Sequence, residues 1–311
     1  MRRLIGPLLG LLLVFEAAPV ALADDDLADY LEHAAGAEYH GEGIVLCTWA
    51  GESAGATYEV TRSGGMSMVH GAGIELMAAG NAMATRSGTD WYGLEVEEWT
   101  AGDLSDRYRV AASEPVTRLG RPALAVTITE GANVRARMVL DEESTVPLVT
   151  EILDGDGKVF RLALLFDFAP GPQPMPAEMP ELYHRTMVTR TEAPDRLSAT
   201  VAGYVRADTY RGEEGMLQAF YTDGLFSFSL FETRRTRTPG AFERAALLDL
   251  GGREYRLIVA PSELWVQWSA PDHTYVLVGD LPPDHLTAGL GELPQPGEPG
   301  FWVRLWRRLF G

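Results

Sequence analysis

The chain of 311 residues has one cysteine, Cys47, so no internal disulfide supports the fold. Packing and hydrogen bonding must hold it together. Cys47 lies in the strand-like run GIVLCTW (43–49), where a small buried apolar residue is expected rather than a reactive thiol. Positive charge is scarce as well: 26 Lys and Arg stand against 44 Asp and Glu, for a formal net charge of −18. A surface this acidic is repelled by nucleic acid and anionic headgroups, and suits a basic partner segment. The six histidines, His33, His40, His70, His184, His273 and His285, show no metal-ligand spacing. No phosphate-cradling glycine loop occurs either, so neither metal nor cofactor is implied. Gly51-Glu52-Ser53-Ala54-Gly55 matches G-x-S-x-G, but a hydrolase elbow needs a strand before it and a helix after it. Both flanks here, GIVLCTW and ATYEVTR (56–62), are strand-like, so the motif reads as a hairpin loop. No catalytic residue is assigned, and a non-enzymatic role is expected.

Long hydrophobic runs are also lacking. The apolar run Leu4 to Phe15 is too short to cross a bilayer comfortably. With Arg2-Arg3 before it and Ala21-Leu22-Ala23 after it, it reads as a secretory signal peptide over 1–23. Asp24 is then the first mature residue, and the expected location is periplasmic or otherwise extracytoplasmic. No cysteine near the cleavage site offers a lipid attachment point.

What is present is β-pattern. After a short amphipathic helix over 26–35 come GIVLCTW, ATYEVTR, MSMVH (66–70), GIELMA (73–78), ALAVTIT (123–129), RARMVLD (135–141), LVTEIL (148–153) and VFRLALLFDF (159–168). Asp154-Gly155-Asp156-Gly157 joins the last two and lacks the remaining ligands of a calcium loop, so it reads as a turn. Leu124, Val126 and Ile128 alternate to one face, while Phe160, Leu162, Leu164, Phe166 and Phe168 line one side of their strand. Such faces build either a sandwich or a curved sheet closed over a helix. In the second case Leu124, Val126, Ile128, Met138, Leu162, Leu164 and Phe166 are candidates to line an apolar cavity for acyl chains. Pro170, Pro172, Pro174, Pro176 and Pro180 mark an extended connector over 169–198 and a domain boundary.

Beyond it lies LQAFYTDGLFSFSLFE (217–232), whose period-two alternation on both sides of Asp223-Gly224 predicts a β-hairpin with a tight primed turn. EYRLIVA (254–260), LWVQWSA (264–270) and TYVLVGD (274–280) continue as strands, and a short helix starts at Pro282-Pro283-Asp284. The tail FWVRLWRRLFG puts Trp302, Leu305, Trp306 and Leu309 on one helical stripe, with Arg304, Arg307 and Arg308 on the other. It is read either as an interfacial membrane helix, with Trp302, Arg304, Trp306, Arg307 and Arg308 at the surface, or as a helix docked on the protein.

The run Leu217 to Phe231, with Tyr221-Thr222-Asp223-Gly224-Leu225 at its centre, resembles the C-terminal domain of the MucB/RseB family, and the Trp/Arg ending resembles its actinobacterial members. Leu119-Gly120-Arg121-Pro122-Ala123, Leu140-Asp141, Pro147-Leu148 and Leu153-Asp154-Gly155-Asp156-Gly157 are similar to a run shared by that family and LolA-like carriers. Ser144-Thr145-Val146-Pro147 departs from the usual Thr-Gly-Leu there, and Tyr275 to Asp284 is similar to the family's ending. The resemblance implies an α+β, mostly antiparallel fold. Its N-terminal domain, 24–168, is a LolA/LppX-like unclosed β-barrel over a helix. A smaller α+β domain covers 199–292, and 293–311 is a spacer and tail. It further implies an extracytoplasmic negative regulator of a sigma-E-type stress response. In that role it binds a membrane anti-sigma factor, with Tyr221, Asp223, Gly224, Leu225 and Phe228 as candidate contacts. Lipid or lipoprotein acyl chains would be sensed in the cavity. The alternative is a lipid or lipoprotein carrier of the LolA type; simple carriers lack the Thr222-Asp223-Gly224-Leu225 module.

Overall fold

A computed structural model describes residues 36–71, 74–79, 82–87, 90–95, 107–175, 189–194, 196–212, 215–234 and 240–297. The signal-peptide segment, the expected helix over 26–35 and the tail residues Trp302, Arg304, Trp306, Arg307 and Arg308 lie outside these residues.

The fold is mostly antiparallel β. Eleven strands form the first sheet: β1 (Tyr39–Trp49), β2 (Glu52–Ser63), β3 (Met66–Gly71), β4 (Ile74–Ala79), β5 (Ala82–Ser87), β6 (Asp90–Glu95), β7 (Tyr108–Arg118), β8 (Arg121–Glu130), β9 (Asn133–Asp141), β10 (Pro147–Leu153) and β11 (Val159–Pro170). Their order, β6-β5-β4-β3-β2-β1-β11-β10-β9-β8-β7, is two meanders joined where β1 pairs β11, and β6 and β7 stand at opposite edges, so the sheet is unclosed. It is nevertheless strongly coiled. Four strand spacings separate β7 from β11, about 19 Å in a flat sheet. Yet Arg118 Nη2 donates to Leu165 O at 3.2 Å, and the Arg121 guanidinium lies 5.6 Å from the centre of the Phe168 ring.

The second sheet contains β12 (Thr189–Arg190), β13 (Thr200–Val201), β14 (Tyr204–Arg211), β15 (Leu217–Thr222), β16 (Ser227–Arg234), β17 (Ala246–Leu250), β18 (Arg253–Val259), β19 (Leu264–Ser269) and β20 (His273–Gly279). Its order is β12-β14-β15-β16-β20-β19-β18-β17, with β13 on β14. Helix α1 (Pro283–Glu292) follows β20 and buries Leu286 and Leu290 beneath the sheet.

Every strand expected from alternation is present, most of them longer than the pattern indicated. Strands β5, β6, β7, β14 and β17 were not expected, nor were the two-residue strands β12 and β13. β7 (YRVAASEPVTR) carries Pro115 and little apolar alternation, as an edge strand can. The second half of the expected connector is tied down: Arg196 pairs with Glu232, and Leu197 is buried in the core. One large apolar cluster joins the sheets, since Tyr108, Val126, Ile128, Met138 and Phe160 pack in the same core as Tyr221, Phe226, Phe228 and Leu286.

Candidate functional site

The hairpin of β15 and β16 differs from its expected form in one respect. Thr222 pairs with Ser227, so four residues, Asp223 to Phe226, make the turn rather than two. Gly224 has the anticipated positive φ, 88°. The Asp223 carboxylate organises the loop, because its Oδ1 accepts from Leu225 N at 3.1 Å and from Phe226 N at 2.8 Å. Two-residue turns with both φ positive occur elsewhere, as at Ala50-Gly51.

The other oxygen of Asp223 reaches into the first sheet. Tyr108 Oη donates to Oδ2 at 2.6 Å, and Arg107 Nη1 lies 3.1 Å away. A second aspartate repeats the arrangement: Asp280 Oδ1 accepts from Ser227 N at 2.7 Å, and its Oδ2 lies 3.5 Å from Arg161 Nη2 of β11. Arg161 also donates to Ser262 O at 2.9 Å. A third pair links Asp284, at the start of α1, to Arg135 of β9 at 2.8 Å. Thus three arginines from the first part of the chain meet three aspartates from the second. Two of those aspartates give their remaining oxygen to the hairpin, Asp223 within its turn and Asp280 to Ser227 N where β16 begins.

Glu130 and His285 complete the junction. Glu130 accepts from Arg107 Nε at 2.7 Å and Arg135 Nε at 2.6 Å. His285 Nε2 lies 2.9 Å from Glu130 Oε2, and its Nδ1 lies 2.8 Å from Tyr204 Oη. Burial alone would raise the Glu130 pKa, but hydrogen bonds from His285 and Arg107 outweigh it and hold the carboxyl well below the ordinary range. Burial first, then the Asp223 charge, pushes the Tyr108 hydroxyl up, so it stays a donor. Asp284 Oδ1 also accepts from Gly155 N at 3.0 Å, which docks the Asp154–Gly157 turn on α1. Gly279 is demanded by the same packing, since a Cβ there would lie 2.5 Å from the Phe228 Cβ.

Beside Arg161 sits Glu263, 1% exposed, with one oxygen accepting from Trp265 Nε1 and the other without a protein partner. Burial above all, opposed by the Trp265 hydrogen bond and Arg161 and aided by the Asp280 charge, pushes its carboxyl up to about 8. Cys47 is likewise buried, and burial pushes its thiol up to about 11.

The cavity candidates do not share one face. Val126, Ile128 and Met138 lie in the core joining the sheets, and Leu124 packs against it. Leu162 and Leu164 are opposite Leu46 and Ile44 on the other face of the sheet. The alternation read along 160–168 is broken by a bulge: Gly43 pairs Leu165 while Glu42 pairs Asp167, so Phe166 is extruded and 47% exposed. Phe168 then turns to the inner face and packs with Tyr39 and Leu165. Three of the five hairpin candidates, Tyr221, Asp223 and Phe228, are inside as well. Tyr221 and Phe228 stack at 4.8 Å in the core, Asp223 is buried, and Gly224 and Leu225 complete the loop at the junction. Tyr221, Asp223 and Phe228 brace the first sheet from inside, and Gly224 and Leu225 stay half-exposed in the loop. Ser53 is exposed within β2 and has no helix after it.

Sequence reasoning missed Arg107, Tyr108, Glu130, Arg135 and Arg161. The usable signal was a charged residue in an apolar run, as at Arg161 in VFRLALL.

No family model matches the sequence, and no curated protein does. Among solved structures, the complex of Pseudomonas aeruginosa MucA/MucB is similar at 17% identity, covering 88% of this chain and 100% of that one, with a TM-score of 0.49. MucB in complex with MucA(peri) gives 17%, 89%, 100% and 0.49. A LolA superfamily protein from Nitrosomonas europaea is similar at 8% identity over 81% of this chain and 90% of that one, with a TM-score of 0.21.

Proposed function

We propose that the chain is an extracytoplasmic negative regulator that holds a segment of a membrane anti-sigma factor and responds to lipid or lipoprotein. One observation carries the reading: Asp223, at the centre of the segment resembling MucB/RseB, divides its carboxylate between the hairpin turn and Arg107 and Tyr108 at the entry to β7. A change in the first sheet therefore alters the hairpin without any ligand touching it. This is the coupling a sensor needs between a ligand site and a partner site. The acyl chain would lie on the inner face near β1 to β4, among Val60, Val69, Leu76, Tyr58 and Leu165, away from the half filled by the second sheet. The partner would be a basic extended segment, which suits the acidic chain.

The test is co-purification of the mature chain with an envelope extract, with and without added fatty acid. The expected result is capture of a single-span anti-sigma factor through its extracytoplasmic part, weakened by the acyl ligand. Capture of lipoproteins alone would favour the carrier reading. Among the described residues no helix is long and apolar enough to cross a membrane.

A further inference from the structure

Two acids share one base where the sheets meet. Leu264 pairs Gly279 at the end of the β19–β20 ladder, so the next residues outward, Glu263 and Asp280, face each other. Both are buried, as is Arg161 of β11, the cation beside them. Arg161 is already committed, since Nη1 donates to Ser262 O at 2.9 Å and Nη2 lies 3.5 Å from Asp280 Oδ2. Glu263 is left with a neutral donor, Trp265 Nε1 at 2.6 Å, on one oxygen. Its other oxygen is buried and has no partner among the described residues. As an anion Glu263 would oppose Asp280 with no cation of its own, and like charges so placed repel.

The groups around Glu263 divide accordingly. Burial and the Asp280 charge favour its neutral form, whereas the Trp265 hydrogen bond and Arg161 favour the anion. Asp223 lies behind Asp280 and is paired to Arg107, and Cys47, a buried neutral thiol, is opposite Arg161 on β1. The proton on Glu263 protects a strand end. Asp280 holds Ser227 twice, its Oδ1 accepting from Ser227 N at 2.7 Å and its own N donating to Ser227 O at 3.1 Å. Ser227 opens β16, the return strand of the hairpin. One carboxylate therefore joins β16 to β11 through Arg161.

We propose that Glu263 is a proton-operated latch between the sheets: protonated, it leaves Arg161 to Asp280, and ionised, it competes for Arg161 and loosens the start of β16 from β11. Acid surroundings set the latch and alkaline ones release it. The inference goes beyond the regulator reading and does not rest on it, since it concerns the chain alone. The full mature chain tests it through two readouts taken across pH. Infrared spectroscopy reads the carbonyl stretch of a buried protonated carboxyl. Hydrogen exchange, normalised to the intrinsic rate at each pH, reads protection in residues 159–165 and 227–231. The expected infrared band fades near pH 8 in the wild type and is missing in Glu263→Gln. Protection of both segments should fall about tenfold per pH unit on the way up to that point and then level off, while β2 and β3 keep theirs. In Glu263→Gln the fall should vanish. Asp280→Asn removes the competing charge, so the band should fade at lower pH. A wild-type band already lost in acid, a band that fades while protection stays constant, or a fall shared equally by β2 and β3 would each overturn the latch. So would a fall that survives in Glu263→Gln. If that variant does not fold, the wild-type traces still decide.

Discussion

Strand β15 buries five consecutive residues, Leu217 to Tyr221, whereas β8 and β9 mostly alternate between buried and half-exposed side chains. The second sheet is packed on both faces. Ala219, Tyr221, Phe228 and Leu277 face the first sheet and α1, and Phe231, Trp265 and Val278 face Phe242. Among the described residues, the buried clusters of the first sheet lie on its inner face. The difference teaches where each sheet can act: the second is a clamped body whose shape depends on its neighbour, and the first has an outer row, Ile44, Leu164, Val149 and Val139, that is only half-buried.

The largest effect should come from breaking the doubly packed sheet. Phe228→Ala removes a ring stacked on Tyr221 and edge-on to Tyr204, and should cost about 3–5 kcal/mol in urea unfolding. Asp223→Asn keeps the shape of the turn but removes the charge shared with Arg107 and Tyr108. Its expected cost is about 1.5–3 kcal/mol, read from the same unfolding curves.

Glu263 sharpens the comparison through pH. Its folded-state carboxyl is raised from 4.5 to about 8, so the folded chain holds that proton more tightly than the unfolded one. Its contribution to stability is full at low pH, falls as pH rises between those values, and is flat above them. Glu263→Gln should flatten that part of the profile and leave the variant relatively more stable at pH 9, measured by thermal unfolding across pH. The smallest effect belongs to the outer face: Leu46→Ser, at a side chain 43% exposed, should stay within about 0.5 kcal/mol.

The sequence was most legible where local pattern decides structure. Alternation in ALAVTIT, LVTEIL and TYVLVG marked strands β8, β10 and β20, because a half-buried strand sorts its side chains by period two. It was less legible where tertiary context overrides pattern. The bulge at Phe166 reverses the face of Phe168, and nothing local in LLFDF announces it. The hairpin candidates Tyr221, Asp223 and Phe228 were recognised as special, but strand alternation cannot say whether a face meets a partner or a second sheet of the same chain. Arg107, Arg135 and Arg161 were overlooked because their aspartates lie more than a hundred residues away.

The central claim is that the hairpin turn and the first sheet are coupled through the Asp223 carboxylate. Hydrogen exchange of the mature chain with and without Asp223→Asn measures this directly. The account predicts that protection falls together in residues 217–232 and in β7 to β9, around Tyr108, Val126 and Ile128. Loss confined to the hairpin, with β7 to β9 protected as before, would contradict it.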